Sequence, residues 1–263
     1  MSYIFKYKTA AMRKVLNLAS WGHVYYKSGT VSTKKAANLR QKFIESYSID
    51  LDKDRRTRFR LKGLARTHMV MYYCKHDQLV HWFLLSTPGE GSIFDKPNDP
   101  MRNLCDRNYR LKITAPVKKY SENSEPPAYE IIRYWGWSEK KEKSVLRFTW
   151  KYDKRTVENY KEQLSLAVHR ATKKSNRTDK LLVSMLESIR HTPGFHESRR
   201  QAIALYQHAQ RRWRKQGSGS WPYGGFTKGA VRKYRREEKY DANHFLRLEQ
   251  QRQEKIFRGV KAA

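Results

Sequence analysis

Acidic residues are scarce in this chain. Asp and Glu number 25 against 56 Lys and Arg over 263 residues, a formal net charge of +31. Such a surplus repels itself when compact and attracts polyanions strongly. It argues against a dehydrogenase or hydrolase of small neutral substrates, which has no use for that field. Cysteine is nearly absent: Cys74 and Cys105 form no CxxC pair, and the nine histidines make no HExxH pattern. A zinc ribbon or finger is therefore not readable, no metal site or other cofactor is expected, and the two thiols read as reduced. No apolar run approaches the roughly 18 residues of a membrane span. Lys6, Lys8, Arg13 and Lys14 interrupt the stretch from Met1 to Trp21, so neither a signal peptide nor a membrane partner is expected. No GxxxxGK[ST] phosphate loop occurs, which argues against NTP-driven work.

What is present is aromatic. Hydrophobic residues make up 38% and aromatic residues 13%, too much for a disordered chain. The spacing of Met12, Val15, Leu16 and Ala19 predicts a helix over Thr9–Ala19, ended by Gly22. A short strand over Val24–Tyr26 and a helix over Thr33–Tyr47, with Ser32 as N-cap, follow. Ala65–Tyr73 alternates and Leu79–Ser86 is nearly apolar throughout, which predicts a hairpin whose second strand is covered on both faces. Thr87–Gly91 stops it. Tyr129–Trp135 and Val145–Tyr152 alternate as a second hairpin.

The period changes near residue 153. Val157, Tyr160, Leu164, Val168 and Ala171 step by three and four. Thr178 then caps a helix carrying Leu181, Leu182, Met185, Leu186 and Ile189. Ala202, Leu205, Tyr206, Ala209 and Trp213 mark another. Gly217–Ser220, with Pro222, Gly224 and Gly225, reads as a flexible linker. The expected architecture is α+β: an antiparallel sheet of about five strands with packed helices, then a helical C-terminal region and a basic tail. The expected domains are an α+β sheet domain over 1–152, a helical region over 153–216, and a linker and basic helical tail over 217–263.

Lys and Arg are interleaved with aromatics, as in Arg133-Tyr134-Trp135, Arg147-Phe148-Thr149-Trp150-Lys151 and Arg212-Trp213-Arg214. Cations neutralise phosphates and release counterions, and aromatic faces stack on unpaired bases. The nucleic-acid-binding candidates fall in three groups. Arg55, Arg56, Arg58, Arg60, Lys62 and Arg66 lie in Asp52–Arg66, read as a solvated loop or phosphate-binding arm. Arg199, Arg200, Arg211, Arg212, Arg214 and Lys215 lie on the second of two helices around a short turn, the layout of a helix-turn-helix and of many ordinary helix pairs. Arg232, Lys233, Arg235 and Arg236 lie in the tail, which is expected to order on nucleic acid.

Candidate chemistry is thinner. His81 lies on the apolar strand, where relaxases place two metal-holding histidines one residue apart, but the matching position here is Phe83. Metal-free RNA-processing endonucleases use a His or Tyr as general acid or base beside a basic patch. His23 with Tyr25 and Tyr26, or His68 with His76, suits that role, as does core or surface packing.

Gly22-His23-Val24-Tyr25-Tyr26, the run from Val80 to Gly91, Tyr129-Glu130-Ile131, Phe148-Thr149-Trp150-Lys151 and Pro193-Gly194-Phe195 resemble a family of basic proteins encoded on plasmids and integrative conjugative elements of proteobacteria. The resemblance covers roughly residues 20–215. It implies a mobile-element setting and a bacterial cytoplasm, and brings no activity and no functional residue with it. The resulting expectation is a nucleic-acid-binding protein, for DNA or RNA, of a mobile genetic element without intrinsic catalysis. Its rivals are a metal-independent endoribonuclease processing a small structured RNA, such as a plasmid-borne CRISPR maturation enzyme, and a basic subunit held by other proteins of a nucleoprotein complex.

Overall fold

The computed structural model describes residues 4–75, 77–95, 99–104, 106–114, 128–139, 142–173, 179–216, 219–226 and 239–240. In chain order the first elements are β1 (Ile4–Phe5), α1 (Lys8–Ser20), β2 (Tyr25–Ser32), α2 (Thr33–Tyr47), α3 (Lys53–Leu61), β3 (Thr67–Cys74), β4 (Leu79–Ser86) and β5 (Arg102–Asn103). Then come β6 (Lys112–Thr114), β7 (Ala128–Ser138), β8 (Lys143–Tyr152), α4 (Lys154–Lys173), α5 (Lys180–Arg190), α6 (His196–Lys215) and β9 (Lys239–Tyr240). The chain forms two compact units, divided at Tyr109/Arg110, and β9 belongs to the first.

The first unit is a six-stranded sheet in the order β5-β2-β4-β3-β1-β9, antiparallel except for the β1–β3 pair. The β3–β4 hairpin pairs in full register from Thr67↔Ser86 to Cys74↔Leu79. Alternation puts Val70, Tyr72, Phe83 and Leu85, all buried, on one face. Helix α1 packs on β3 and β4 and buries Ala11, Met12, Val15 and Leu18. Met71, Val80, Trp82 and Leu84 face the other way, where Ala36 of α2, Ile49 and Ile93 close two further clusters. Strand β4 is thus covered on both faces, as its apolar run requires. Each large side chain so buried contributes about 1.5–3 kcal/mol.

Strand β2 runs well past the expected Tyr26, because β4 templates it from Tyr25↔Ser86 to Ser32↔Leu79. Its polar half, Lys27-Ser28-Gly29-Thr30, has no apolar signal of its own. Gly29 is needed there: a Cβ would stand 2.8 Å from the Trp82 ring. Residues 53–61, expected as a loop or arm, are helical. Charge density excludes a core face but not a helix, and Arg is a strong helix former. Asp52 caps α3 by accepting the Arg55 N–H at 2.7 Å. Asp54 in the first turn and Arg58 and Arg60 in the last suit the helix dipole. No residue of α3 is buried; its C-terminal end is held by backbone. Ala65 N–H donates to Glu90 O at 2.8 Å, and Glu90 N–H to Gly63 O at 3.1 Å. This clamp needs Gly89, whose φ is +140° and whose Cβ would lie 2.5 Å from Gly63 O.

The second unit joins the three-stranded sheet β6-β7-β8 to helices α4, α5 and α6. The one sheet of about five strands expected within 1–152 is therefore accompanied by a second, three-stranded sheet. The period switch at 153 marks a change of element type, not of packing partner. Asp153 leads β8 into α4, and α6 docks on β8. Gln201 accepts the Tyr152 N–H at 2.6 Å and donates to Tyr152 O at 3.0 Å, while Ser198 donates to Trp150 O at 2.8 Å. Leu164, Val168, Leu182, Met185, Ile189, Leu205 and Trp213 form the helical core. Asp179 caps α5 through the N–H groups of Leu181 and Leu182; the expected cap, Thr178, lies outside the described residues. The linker reading fails over 219–226. Trp221, Tyr223 and Phe226 pack on the helical core, and the single proton of the Tyr206 hydroxyl is shared between Tyr223 O at 2.8 Å and Gly224 O at 2.9 Å. Three aromatics outweigh the glycines around them. The tail beyond Phe226 lies outside the described residues except β9, which pairs with β1 through Ile4↔Tyr240 and Phe5↔Lys239. No helix among the described residues is long and apolar enough to cross a membrane.

Candidate nucleic-acid interface

In the first unit, Arg55, Arg58, Arg60 and Lys62 are exposed on and just after α3, while Arg56 and Arg66 are half-buried. Arg56 and Arg66 lie near enough to a pair of histidines for their charges to act on both. The His23 and His68 rings lie 4.9 Å apart, edge to face, although 45 positions separate them in sequence. His23 Nδ1 lies 3.1 Å from Leu18 O and donates to it. This leaves Nε2 as the ring's acceptor, buried and without a hydrogen-bond partner among the described residues. Burial pushes His23 down to about 4, and the charges of Arg66, Arg56 and Lys14 add to the fall. His68 is pushed down to about 3, again by burial first, then by Arg56, His23, Lys14 and Arg66. Two neutral imidazoles therefore sit among three cations at neutral pH. Beside them Trp21 is 61% exposed, with Lys14 Nζ 5.5 Å from its ring centroid.

In the second unit, β6 pairs with the start of β7, and beyond that pairing β7 and β8 continue as a two-stranded ribbon among the described residues. Arg133, Trp135 and Trp137 alternate onto one face of it, opposite Phe148, Leu146 and Ser144. Trp135 is 71% exposed and Trp137 63%. On the other face Tyr134 stacks on His196, the first residue of α6, at 4.6 Å. Helix α6 buries Ala202, Leu205, Tyr206, Ala209 and Trp213 and exposes Arg199, Arg200, Arg211, Arg212, Arg214 and Lys215. Arg200 is spoken for in part by Glu197, 2.9 Å away.

The structure thus places Arg55, Arg58 and Arg60 on the exposed face of α3 and the whole second group on that of α6, while Lys62 and Arg66 follow α3 and Arg56 and Arg66 are half-buried. Arg232, Lys233, Arg235 and Arg236 lie outside the described residues. The sequence signalled His23 and His68 separately, with other partners: Tyr25 and Tyr26 for the one, His76 for the other. His76 lies outside the described residues. The exposed Trp21 and Trp137 and the cation Lys14 were missed, because nothing in local spacing separates a surface tryptophan from a core one. Of the aromatics on β4 and β8, Phe83 and Trp150 are buried, while Trp82 and Phe148 are partly exposed. Comparison with protein-family models, with curated proteins and with solved structures returns no match.

Proposed function

We propose that the protein binds a nucleic-acid strand, neutralising its phosphates with Lys and Arg and stacking its bases on exposed tryptophans. The observation that carries this reading is the pairing of solvent-exposed Trp135 and Trp137 with Arg133 on one ribbon face, in a chain of net charge +31. Isolated tryptophans this exposed gain little from folding, whereas base stacking is worth about 1–3 kcal/mol per base. The resemblance to plasmid-encoded basic proteins supports a mobile-element setting in a bacterial cytoplasm. Titrating labelled single-stranded DNA and RNA into the protein tests the reading. Tryptophan fluorescence should be quenched on binding, and the Trp135→Ala, Trp137→Ala double variant should bind about 10–100-fold more weakly. Unchanged affinity in that variant contradicts it.

A second reading, metal-independent RNA cleavage, draws on the histidine pair. A neutral imidazole can take the proton from a ribose 2′-hydroxyl, and Lys14, Arg56 and Arg66 can stabilise the charge that gathers on the phosphate. A phosphate entering among those cations raises both histidines toward protonation, which supplies an acid for the leaving 5′-oxygen. RNA hairpins incubated with the protein in EDTA test this. Cleavage should fall by about 10²–10⁴-fold in His68→Ala. Intact RNA in the wild-type reaction removes this reading and leaves the binding reading standing.

A further inference from the structure

The other end of the β3–β4 hairpin brings three different metal-binding chemistries together. Cys74 ends β3, Asp77 lies in the connection and His81 lies on β4. Their sulfur, carboxylate oxygen and ring nitrogen all fall within 4.8 Å of one another. We propose that Cys74, Asp77 and His81 form a site for a single zinc-class divalent cation. The donor set is mixed thiolate, imidazole and carboxylate, which suits a borderline-soft ion and does not suit magnesium or calcium. Three protein ligands leave one tetrahedral position for water or a further ligand.

The ligands are oriented before any ion arrives. Gln78 takes a left-handed conformation, φ +58°, which folds the connection back on itself. Asp77 Oδ1 accepts the Leu79 N–H at 2.9 Å, so Oδ2 is the oxygen turned inward. That oxygen lies 2.7 Å from His81 Nε2. The His81 ring stacks on Tyr72 at 4.9 Å and 17°, which fixes its plane. Cys74 and His81 stand on the same face of the hairpin, since Cys74 pairs with Leu79 and Tyr72 with His81. Cys74 carries no disulfide, and Asp77 and His81 are open enough for an ion to enter.

Loading the site requires small movements. Zinc bond lengths imply an N···O edge of about 3.3 Å, so the His81–Asp77 contact opens by roughly half an ångström as the ion replaces the hydrogen bond. The thiol proton of Cys74 leaves to solvent, and His81 Nε2 gives up any proton it shares with Asp77. The sequence concealed this site because its ligand spacing, Cys-x2-Asp-x3-His, matches no common zinc pattern. Only the hairpin register folds the three together. The site does not depend on nucleic-acid binding.

Cobalt titration of the full, metal-stripped chain tests the proposal, because a thiolate–cobalt bond has its own charge-transfer absorption. We expect that band to saturate at one equivalent and to be displaced by zinc. It should vanish in Cys74→Ser and persist in Cys105→Ser. His81→Gln and Asp77→Asn should each weaken zinc binding at least tenfold while circular dichroism stays native; the exposed Asp77 keeps the test valid if Cys74→Ser misfolds. Absence of the band in the wild type, its persistence in Cys74→Ser, or unchanged zinc affinity in both His81→Gln and Asp77→Asn overturns the proposal.

Discussion

His23 and His68 show what a charge environment does to a single titratable group. Both are pushed down, to about 4 and about 3, by burial and by the surrounding cations. The ordinary histidine value is about 6.5. Below that value the unfolded chain takes up protons that the folded chain does not. Each histidine therefore contributes stability that is fully present above pH 6.5 and is lost as pH falls toward the folded value. Between pH 6.5 and pH 5 the loss is about 2 kcal/mol per histidine. Urea unfolding of His68→Gln should show a flatter pH dependence over this window than the wild type. Equal slopes would mean that His68 is not held neutral in the folded protein. The sequence singled out both histidines; that they touch was not legible in it. His23 directly follows α1, which packs on β3, the strand that carries His68, and nothing within a few residues of either histidine encodes that packing.

At the scale of elements, α3 is the instructive case. It buries no residue, so the hydrophobic pattern that revealed α1, α4 and α6 had nothing to report. Its one local mark is Asp52 ahead of a run of Arg, where the charge alone suggests a loop. The helix is positioned by its ends, and both can be tested. Asp52→Ala removes the cap and should cost about 1 kcal/mol in urea unfolding. Gly89→Ala places a Cβ 2.5 Å from Gly63 O at a φ of +140°. It should destabilise by about 2 kcal/mol or more and weaken nucleic-acid binding through displaced α3 arginines. A native melting curve for Gly89→Ala would show that the clamp yields easily. The β7–β8 ribbon offers the converse. Trp135→Ala removes an exposed ring and should change stability by less than about 0.5 kcal/mol, so any loss of binding it causes is a loss of contact rather than of fold. Strands β3, β4, β7 and β8 were readable from their alternation or apolar runs, whereas the short β1, β5, β6 and β9 and the polar half of β2 were not. Their assignment to two sheets was not, because alternation reports which face is buried and not which strand lies alongside.

For the whole molecule the governing fact is the imbalance of 56 Lys and Arg over 25 Asp and Glu. The α+β class, the mostly antiparallel sheets and the helical C-terminal region were all legible from patterning. The place where one unit ends and the next begins was not, since β8 and α6 are tied by Gln201 and Ser198 to backbone that looked, in sequence, like the end of a separate sheet domain. The charge makes the central claim quantitative. Phosphates neutralised by cations release condensed counterions, so the logarithm of the binding constant falls linearly with the logarithm of salt concentration, at about 0.7 per contact on a single strand. Replacing Arg55, Arg56, Arg58 and Arg60 together with Ala should weaken binding to all sequences alike and reduce the slope by about 2–3. The most direct measurement is therefore the salt dependence of strand binding by the wild type and by this quadruple variant. A steep slope in the wild type and a shallower one in the variant is the predicted result; a wild-type affinity that does not respond to salt contradicts it.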